Sequence, residues 1–281
     1  MAELMIARVR LPLFSIKHPE AFQVMSSLPV PQPSSLIGLL AYCLGVATGL
    51  GTRALDQVRN WVRGEKLLAA RAAPAEEGLP LAPSSVVLRR FRVVDEGRVR
   101  KEKREALTSA IEREDFKALK SVLEMKLMDA LYREYVMGHE LLCAWAMGSD
   151  IDLKPNWLYL AQRIGDTESL CAVVDVRAYE VEVYEAEEVR TKFPTPMEYL
   201  AGPVEGPHTV AKMCDELRTP RPYVIPCEVK MEKRKGGLVI PIIKPSEVKI
   251  MYERPIRVIE AEDFTLTAFW PAKETGRRRR K

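Results

Sequence analysis

Signatures of metal, nucleotide and hydrolase sites are missing from this sequence. Its five cysteines, Cys43, Cys143, Cys171, Cys214 and Cys227, are scattered, odd in number and never in CxxC spacing. A zinc ribbon, an iron–sulfur site and a disulfide scaffold are therefore poorly supported, and a reducing, cytoplasmic setting is expected. Histidine is scarce too. His18, His139 and His208 form no HxH or HExxH pattern, so structural or surface roles are expected for them and no metal. GxSxG, GxxxxGK(S/T) and GxGxxG are all absent, which removes the simplest hydrolase, nucleoside-triphosphatase and dinucleotide readings; no cofactor is expected. The longest apolar run, Leu36 to Leu50, spans 15 residues with three glycines and is short for a membrane crossing. The first residues mix Glu3, Arg8 and Arg10 among apolar neighbours, unlike a signal peptide. Only two asparagines and four glutamines occur, a bias that suggests a thermophile.

The composition is otherwise globular. The chain has 281 residues, 47% hydrophobic and 29% charged, with 20 prolines and 15 glycines. That length suits one large domain or two moderate ones. The net charge of +4 resides in the terminal run Arg277–Lys281; without those five residues the chain is slightly acidic. A nucleic-acid reading must therefore rest on local charge.

Alternation places Met5, Ala7, Val9 and Leu11 on one side of a first strand, Leu4–Leu13, with Arg8 and Arg10 on the other. The stretch Ser26–Pro33 holds three prolines and reads as a stiff, exposed connector. Ser34 or Ser35 would cap a buried helix reaching about Leu44, with Gly38 permitting close backbone approach. A second helix is expected over Ala54–Leu68, a strand over Val86–Val94 and a returning strand or limb from Arg98. Ser109–Ala130 reads as a charged amphipathic helix, Leu131–Met147 as strand bent at Gly138, Pro155–Arg163 as a short helix and Leu170–Tyr184 as strand. Beyond Glu185 the chain reads as proline-rich and irregular, until a hairpin over Glu228–Ile243 turning at Gly236 and Gly237. Val248–Tyr252, Ile256–Ile259 and Phe264–Trp270 supply short terminal strands. The order of elements fits an α+β fold of the ferredoxin-like, RRM-like kind: residues 1–190 with a central insertion and a thumb-like hairpin, then a proline-rich connection and small β-rich C-terminal lobe over 191–272, and a basic tail at 273–281.

Between Val86 and Glu105 there are eight basic and four acidic residues. Arg89, Arg90, Arg92, Arg98, Arg100, Lys101 and Lys103, with Arg8 and Arg10, lie on or beside expected strands and are interleaved with Phe14, Phe91, Tyr132 and Tyr135. Guanidinium groups pair with phosphates and aromatic rings stack on bases, so this mix suits single-stranded RNA. A solvated surface explains the same charges.

The string LPVPQPSSLIGLL at Leu28–Leu40 resembles the signature of the fifth numbered Cas protein family, RAMP-superfamily subunits of type I CRISPR surveillance complexes (Cascade). Pro31, Ser34, Ser35 and Gly38 carry the motif. A second match, AQRIGDTES at Ala161–Ser169 with Gly165 at its centre, is similar to the archaeal type I-A branch. The resemblance implies an RNA-binding subunit without catalytic residues that caps the repeat-derived 5′ handle of crRNA in antiviral defence. Its implied partners are the Cascade backbone and large subunits, with target DNA met only through the complex and no membrane. Arg8, Arg10, Lys17 and Arg163 are implied handle contacts, and Val86–Arg104 the thumb. A type I-C branch of the family is a metal-independent endoribonuclease using Tyr, Lys and His. Tyr42 could stand for that tyrosine, but no Lys-His pair occupies the central region. That nuclease activity is the alternative reading, and a protein-only assembly subunit is a third.

Overall fold

A computed structural model describes residues 2–21, 25–75, 80–91, 101–123, 128–166, 168–233, 235–237 and 239–268. In chain order, β1 (Ala2–Arg10) and β2 (Leu13–Phe14) precede α1 (Pro33–Thr48), α2 (Arg53–Arg63) and β3 (Leu67–Pro74). Then come β4 (Ala82–Phe91), α3 (Lys101–Glu112), α4 (Phe116–Val122), β5 (Met128–Met137) and β6 (Glu140–Gly148). A 3-10 helix (Pro155–Leu160) leads to β7 (Ala172–Val181), β8 (Val183–Thr191) and β9 (Thr195–Pro196). The last strands are β10 (His208–Cys214), β11 (Pro220–Lys233), β12 (Val239–Pro245), β13 (Val248–Ala261) and β14 (Phe264–Thr267).

The chain divides into two units. One comprises Met1–Ala21, Ser26–Ser84 and Tyr135–Lys281; the other comprises Phe22–Met25 and Ser85–Glu134. The larger unit is built on a four-stranded sheet in the order β3-β6-β1-β7, antiparallel at every pairing. Met5, Ala7 and Val9 of β1 are wholly buried in one core with Leu36 and Leu40 of α1 and Val58 and Val62 of α2. On the opposite face, Leu4 and Ile6 are buried in a second core with Phe193, Ile259 and Leu266. Both faces of β1 are covered there, which is why its sequence is apolar almost throughout. Smaller sheets, β10-β11-β12 and β14-β13-β8, make up the C-terminal part. No helix among the described residues is long and apolar enough to cross a membrane.

Several expectations are corrected. The Leu28–Pro33 stretch is not exposed: Leu28 and Val30 sit in the first core, and Pro31 and Pro33 are buried. Helix α1 is not capped by serine. Gln32 is its N-cap, with extended backbone and no side-chain cap bond, and Pro33 takes the first helical position, where its missing N–H costs nothing. Close approach occurs at Gly45, whose Cβ would stand 2.9 Å from the Gly51 carbonyl oxygen, and not at Gly38, where a Cβ would meet nothing within 4 Å. Helix α2 stops at Arg63, because Gly64 follows and Glu65 takes a φ of 54°, and Leu67 opens a buried strand. Lys101 begins α3 in place of a returning strand, in a stretch rich in helix-forming Lys, Glu, Arg and Ala. A single Ser109–Ala130 helix is not formed: Glu114 turns at a φ of 53°, and Asp115 caps α4 by accepting from the N–H groups of Lys117 and Ala118. Leu170–Tyr184 is split between β7 and β8, and the region after Glu185 is largely strand. The β11–β12 hairpin forms as expected, Lys233 facing Val239 around Gly236 and Gly237. Val248–Ile259 is one strand with a register shift between Met251 and Ile256.

Candidate nucleic-acid interface

A cleft of about 420 Å³ in the larger unit gathers four separate stretches of sequence around α1. The helix contributes Ser34, Ser35, Gly38 and Tyr42, whose spacing of three to four residues places them on one face. With no Cβ at Gly38 and nothing nearby to fill the space, the helix backbone is bare toward the cleft. Helix α2 adds Leu55 and Arg59 at i, i+4, bordering its buried Ala54, Val58 and Val62, with Leu55 packed against the same core.

Lys17 reaches the cleft because the segment after β2 is tied to the proline-rich approach. The Ile16 N–H donates to Ser27 Oγ at 2.9 Å, the Leu28 N–H to the Ile16 carbonyl at 2.8 Å, and Lys17 bridges Ser27. Arg163 and Asp166 come from a tight turn whose geometry explains the IGDTES string. Ile164 is buried, and Gly165 takes a φ of +84°, where a Cβ would collide with Ile16 Cδ1. Ser169, fully buried, accepts from the Ser15 N–H at 3.1 Å through its hydroxyl, and its carbonyl accepts from Ile164. The last wall is the turn before β11, with Glu216 and Arg218.

Lys17, Arg59, Arg163 and Arg218 thus surround one concave space, and none has a side-chain hydrogen bond or ion pair among the described residues. Glu216 is neutralised by Arg71 from β3, an ion pair with both side chains out of solvent. Burial works against the Arg71 charge, but Glu216, Tyr223 and Asp215 outweigh it and hold its pKa above the ordinary value. Burial raises the Asp215 carboxyl, although the Thr219 and Leu217 N–H groups and Arg221 act in the opposite direction. The space can accept polyanion: four cations free to bind, a backbone surface open at Gly38 and the Tyr42 ring at its edge.

Of the residues singled out in the sequence, Lys17, Arg163, Ser34, Ser35, Gly38 and Gly165 converge here, with Pro31 buried behind them. Arg8 and Arg10 do not. They turn toward Glu140 on β6, Arg10 Nη2 at 2.9 Å from Oε1 and Arg8 Nε at 3.7 Å from Oε2. His139 is also there, 3.9 Å from Glu140, and does not line the cleft. Arg92, Arg98 and Arg100 lie outside the described residues; for Arg89, Arg90, Lys101 and Lys103 only the backbone is described, in β4 and α3. Sequence reasoning passed over Arg59 and Arg218. The i, i+4 partnership of Arg59 with Leu55 on an amphipathic helix was a readable signal; for Arg218 only the turn-rich DELRTP string hinted at it.

Comparison with known proteins agrees with this architecture. Residues 4–136 match a family model described as "CRISPR-associated protein (Cas_Cas5)". The chain is 25% identical over 248 residues to the CRISPR-associated protein Cas5 of Methanocaldococcus jannaschii, covering 84% of this chain and 89% of that protein. It is 29% identical over 174 residues to the Cas5 of Thermoproteus tenax, covering 61% and 64% respectively. Among solved structures, a CRISPR protein from Archaeoglobus fulgidus superposes with a TM-score of 0.57 at 16% identity, over 96% of this chain and all of that one, a likeness of fold. The family model over residues 4–136 and both archaeal relatives support one assignment, the Cas5 family of CRISPR-associated proteins.

Proposed function

We infer that this protein is a non-catalytic RNA-binding subunit of a type I CRISPR surveillance complex, of the I-A kind, and that its cleft holds the repeat-derived 5′ handle of crRNA. The observation that carries the reading is the convergence of Lys17, Arg59, Arg163 and Arg218, all without side-chain partners among the described residues, on one cleft. Unpaired cations around a concave space are costly in self-repulsion and are relieved by a bound polyanion. The sheet supports an RRM-like, ferredoxin-like frame: order β3-β6-β1-β7, with α1 and α2 between β1 and β3 and the 3-10 helix between β6 and β7. In such modules bases stack on an open sheet face. Here Phe193, Ile259 and Leu266 pack on that face of β1, so the helix-side cleft is the available surface.

The subunit would sit at the handle end of the ribonucleoprotein beside the backbone and large subunits. One feature favours the metal-independent endoribonuclease reading, the placement of Tyr42 on the cleft wall, but among the described residues the cleft lining contains no histidine to act as acid or base. Incubating the purified protein with labelled full-length repeat RNA in EDTA, over a salt series, separates the two. Salt-sensitive retention of intact RNA through the handle supports the proposal; a discrete cut at the 5′ boundary of the handle replaces it with the nuclease.

A further inference from the structure

The turn that carries Arg218 places it in a strained conformation, held there by the turn's own hydrogen bonds. Asp215 Oδ1 accepts from the N–H groups of Leu217 at 3.0 Å and Thr219 at 2.8 Å. The backbone closes over it, the Asp215 N–H donating to the Thr219 carbonyl and the Arg218 N–H to the Asp215 carbonyl, both at 2.9 Å. Arg218 is thereby held at a φ of +70°, in the left-handed region where glycine is the default and a long side chain is disfavoured. Its side chain is nevertheless an exposed arginine on the cleft, without a hydrogen bond or ion pair among the described residues.

The base of the turn is tied to the main sheet. Glu216 accepts from the Ala70 N–H at 3.1 Å and from Arg71, which also donates to the Ala70 carbonyl at 2.8 Å. Across the turn, Arg221 Nε bonds Glu198 at 2.8 Å and its Nη1 lies 3.7 Å from Asp215. Two buried carboxylates thus anchor the chain on which one exposed guanidinium is presented. Strain that the surrounding structure maintains concentrates at binding sites, where it pre-orders a group for its ligand.

We propose that Arg218 is a phosphate-binding residue of the cleft, pairing with a phosphodiester of the bound RNA strand, and that Asp215 is the residue that positions it. This rests on the RNA-binding reading above and adds that the C-terminal strands, through this turn, complete the site. A guanidinium offers a phosphodiester two parallel N–H donors, which a fixed backbone aims with little further loss of freedom.

The test compares Arg218→Gly, Arg218→Asn, Asp215→Asn and Asp215→Ala with the full-length protein and with Lys17→Ala, reading repeat-RNA affinity over a salt series and thermal melting. Glycine relieves the strained φ, so Arg218→Gly is expected to melt higher than the parent and to bind repeat RNA about tenfold weaker. Its salt dependence should be shallower by the equivalent of about one phosphate. Arg218→Asn, which tolerates the same backbone, should lose affinity similarly. Asp215→Asn, which keeps an acceptor for the turn, should lose less affinity than Asp215→Ala. Parent affinity and salt slope in both Arg218 variants, with Lys17→Ala weakened, would overturn the assignment of Arg218 and leave the RNA reading standing. Weaker binding together with lower melting in both Arg218 variants would assign the residue a structural role instead. A parent chain that binds no repeat RNA would overturn both.

Discussion

The carboxylate of Glu216 and the guanidinium of Arg71 form an ion pair wholly removed from solvent, joining positions 145 residues apart in sequence. Arg71 belongs to β3 of the main sheet and Glu216 to the turn before β11, so the pair fastens the cleft's last wall to the strand layer beneath α1. The Arg71 guanidinium also lies 5.7 Å from the centre of the Tyr223 ring. Removing one member would strand its partner's charge in the interior. Arg71→Ala or Glu216→Ala is therefore expected to cost about 3–5 kcal/mol, whereas the double change Arg71→Met with Glu216→Leu should cost less than the two single losses combined. Urea denaturation of the four proteins measures this.

Gly38 and Gly165 belong to the same cleft but should respond oppositely to alanine. At Gly165 the positive φ and the collision with Ile16 Cδ1 oppose any side chain, and Gly165→Ala should destabilise the fold by about 1–3 kcal/mol. At Gly38 a Cβ meets no neighbour, and alanine favours the helix, so Gly38→Ala should stabilise by up to about 1 kcal/mol. Its methyl group would project into the cleft and weaken RNA binding. Melting temperature and repeat-RNA affinity, measured together, distinguish these responses.

Thiol chemistry follows from burial. Burial pushes the Cys171 and Cys227 thiols up to about 11 and Cys43 up to about 12, with Cys171 adding to the rise at Cys43. At pH 8 a thiol with a pKa of about 11 presents roughly a hundredth of the thiolate of an unperturbed one with a pKa of 9.0. Because the thiolate is the reactive form, alkylation by iodoacetamide should be slow in the folded protein and should rise with pH through the range 9 to 11. Urea unfolding should restore ordinary rates at pH 8.

The sequence was most informative where the determinants are local. Alternation in Met5, Ala7 and Val9 marks one buried face of β1, and the IGDTES string encodes its turn within a few residues of Gly165. Lys17, Arg163 and Gly38 lie in such local motifs, and the fold brings them to one cleft. At the start of α1, Ser34 and Ser35 are good caps in isolation, but Pro33 already occupies the first helical position. Long-range pairing was beyond reach. Arg8 and Arg10 resemble phosphate ligands until Glu140, 130 residues from Arg10, is seen to engage them. Arg218 gained no notice because its significance depends on a backbone angle set by Asp215, not on residue type.

The most direct test of the account is the affinity of this protein for full-length repeat RNA when the cleft is stripped of charge. Lys17→Ala, Arg59→Ala and Arg163→Ala would be combined in one protein and set against Arg8→Ala combined with Arg10→Ala, each across a salt series. The account predicts that the cleft variant loses affinity, with a salt slope shallower by roughly 0.7 for each phosphate no longer neutralised, and that the Arg8 and Arg10 variant binds like the parent. Undiminished binding by the cleft variant, or loss confined to the Arg8 and Arg10 variant, would contradict it.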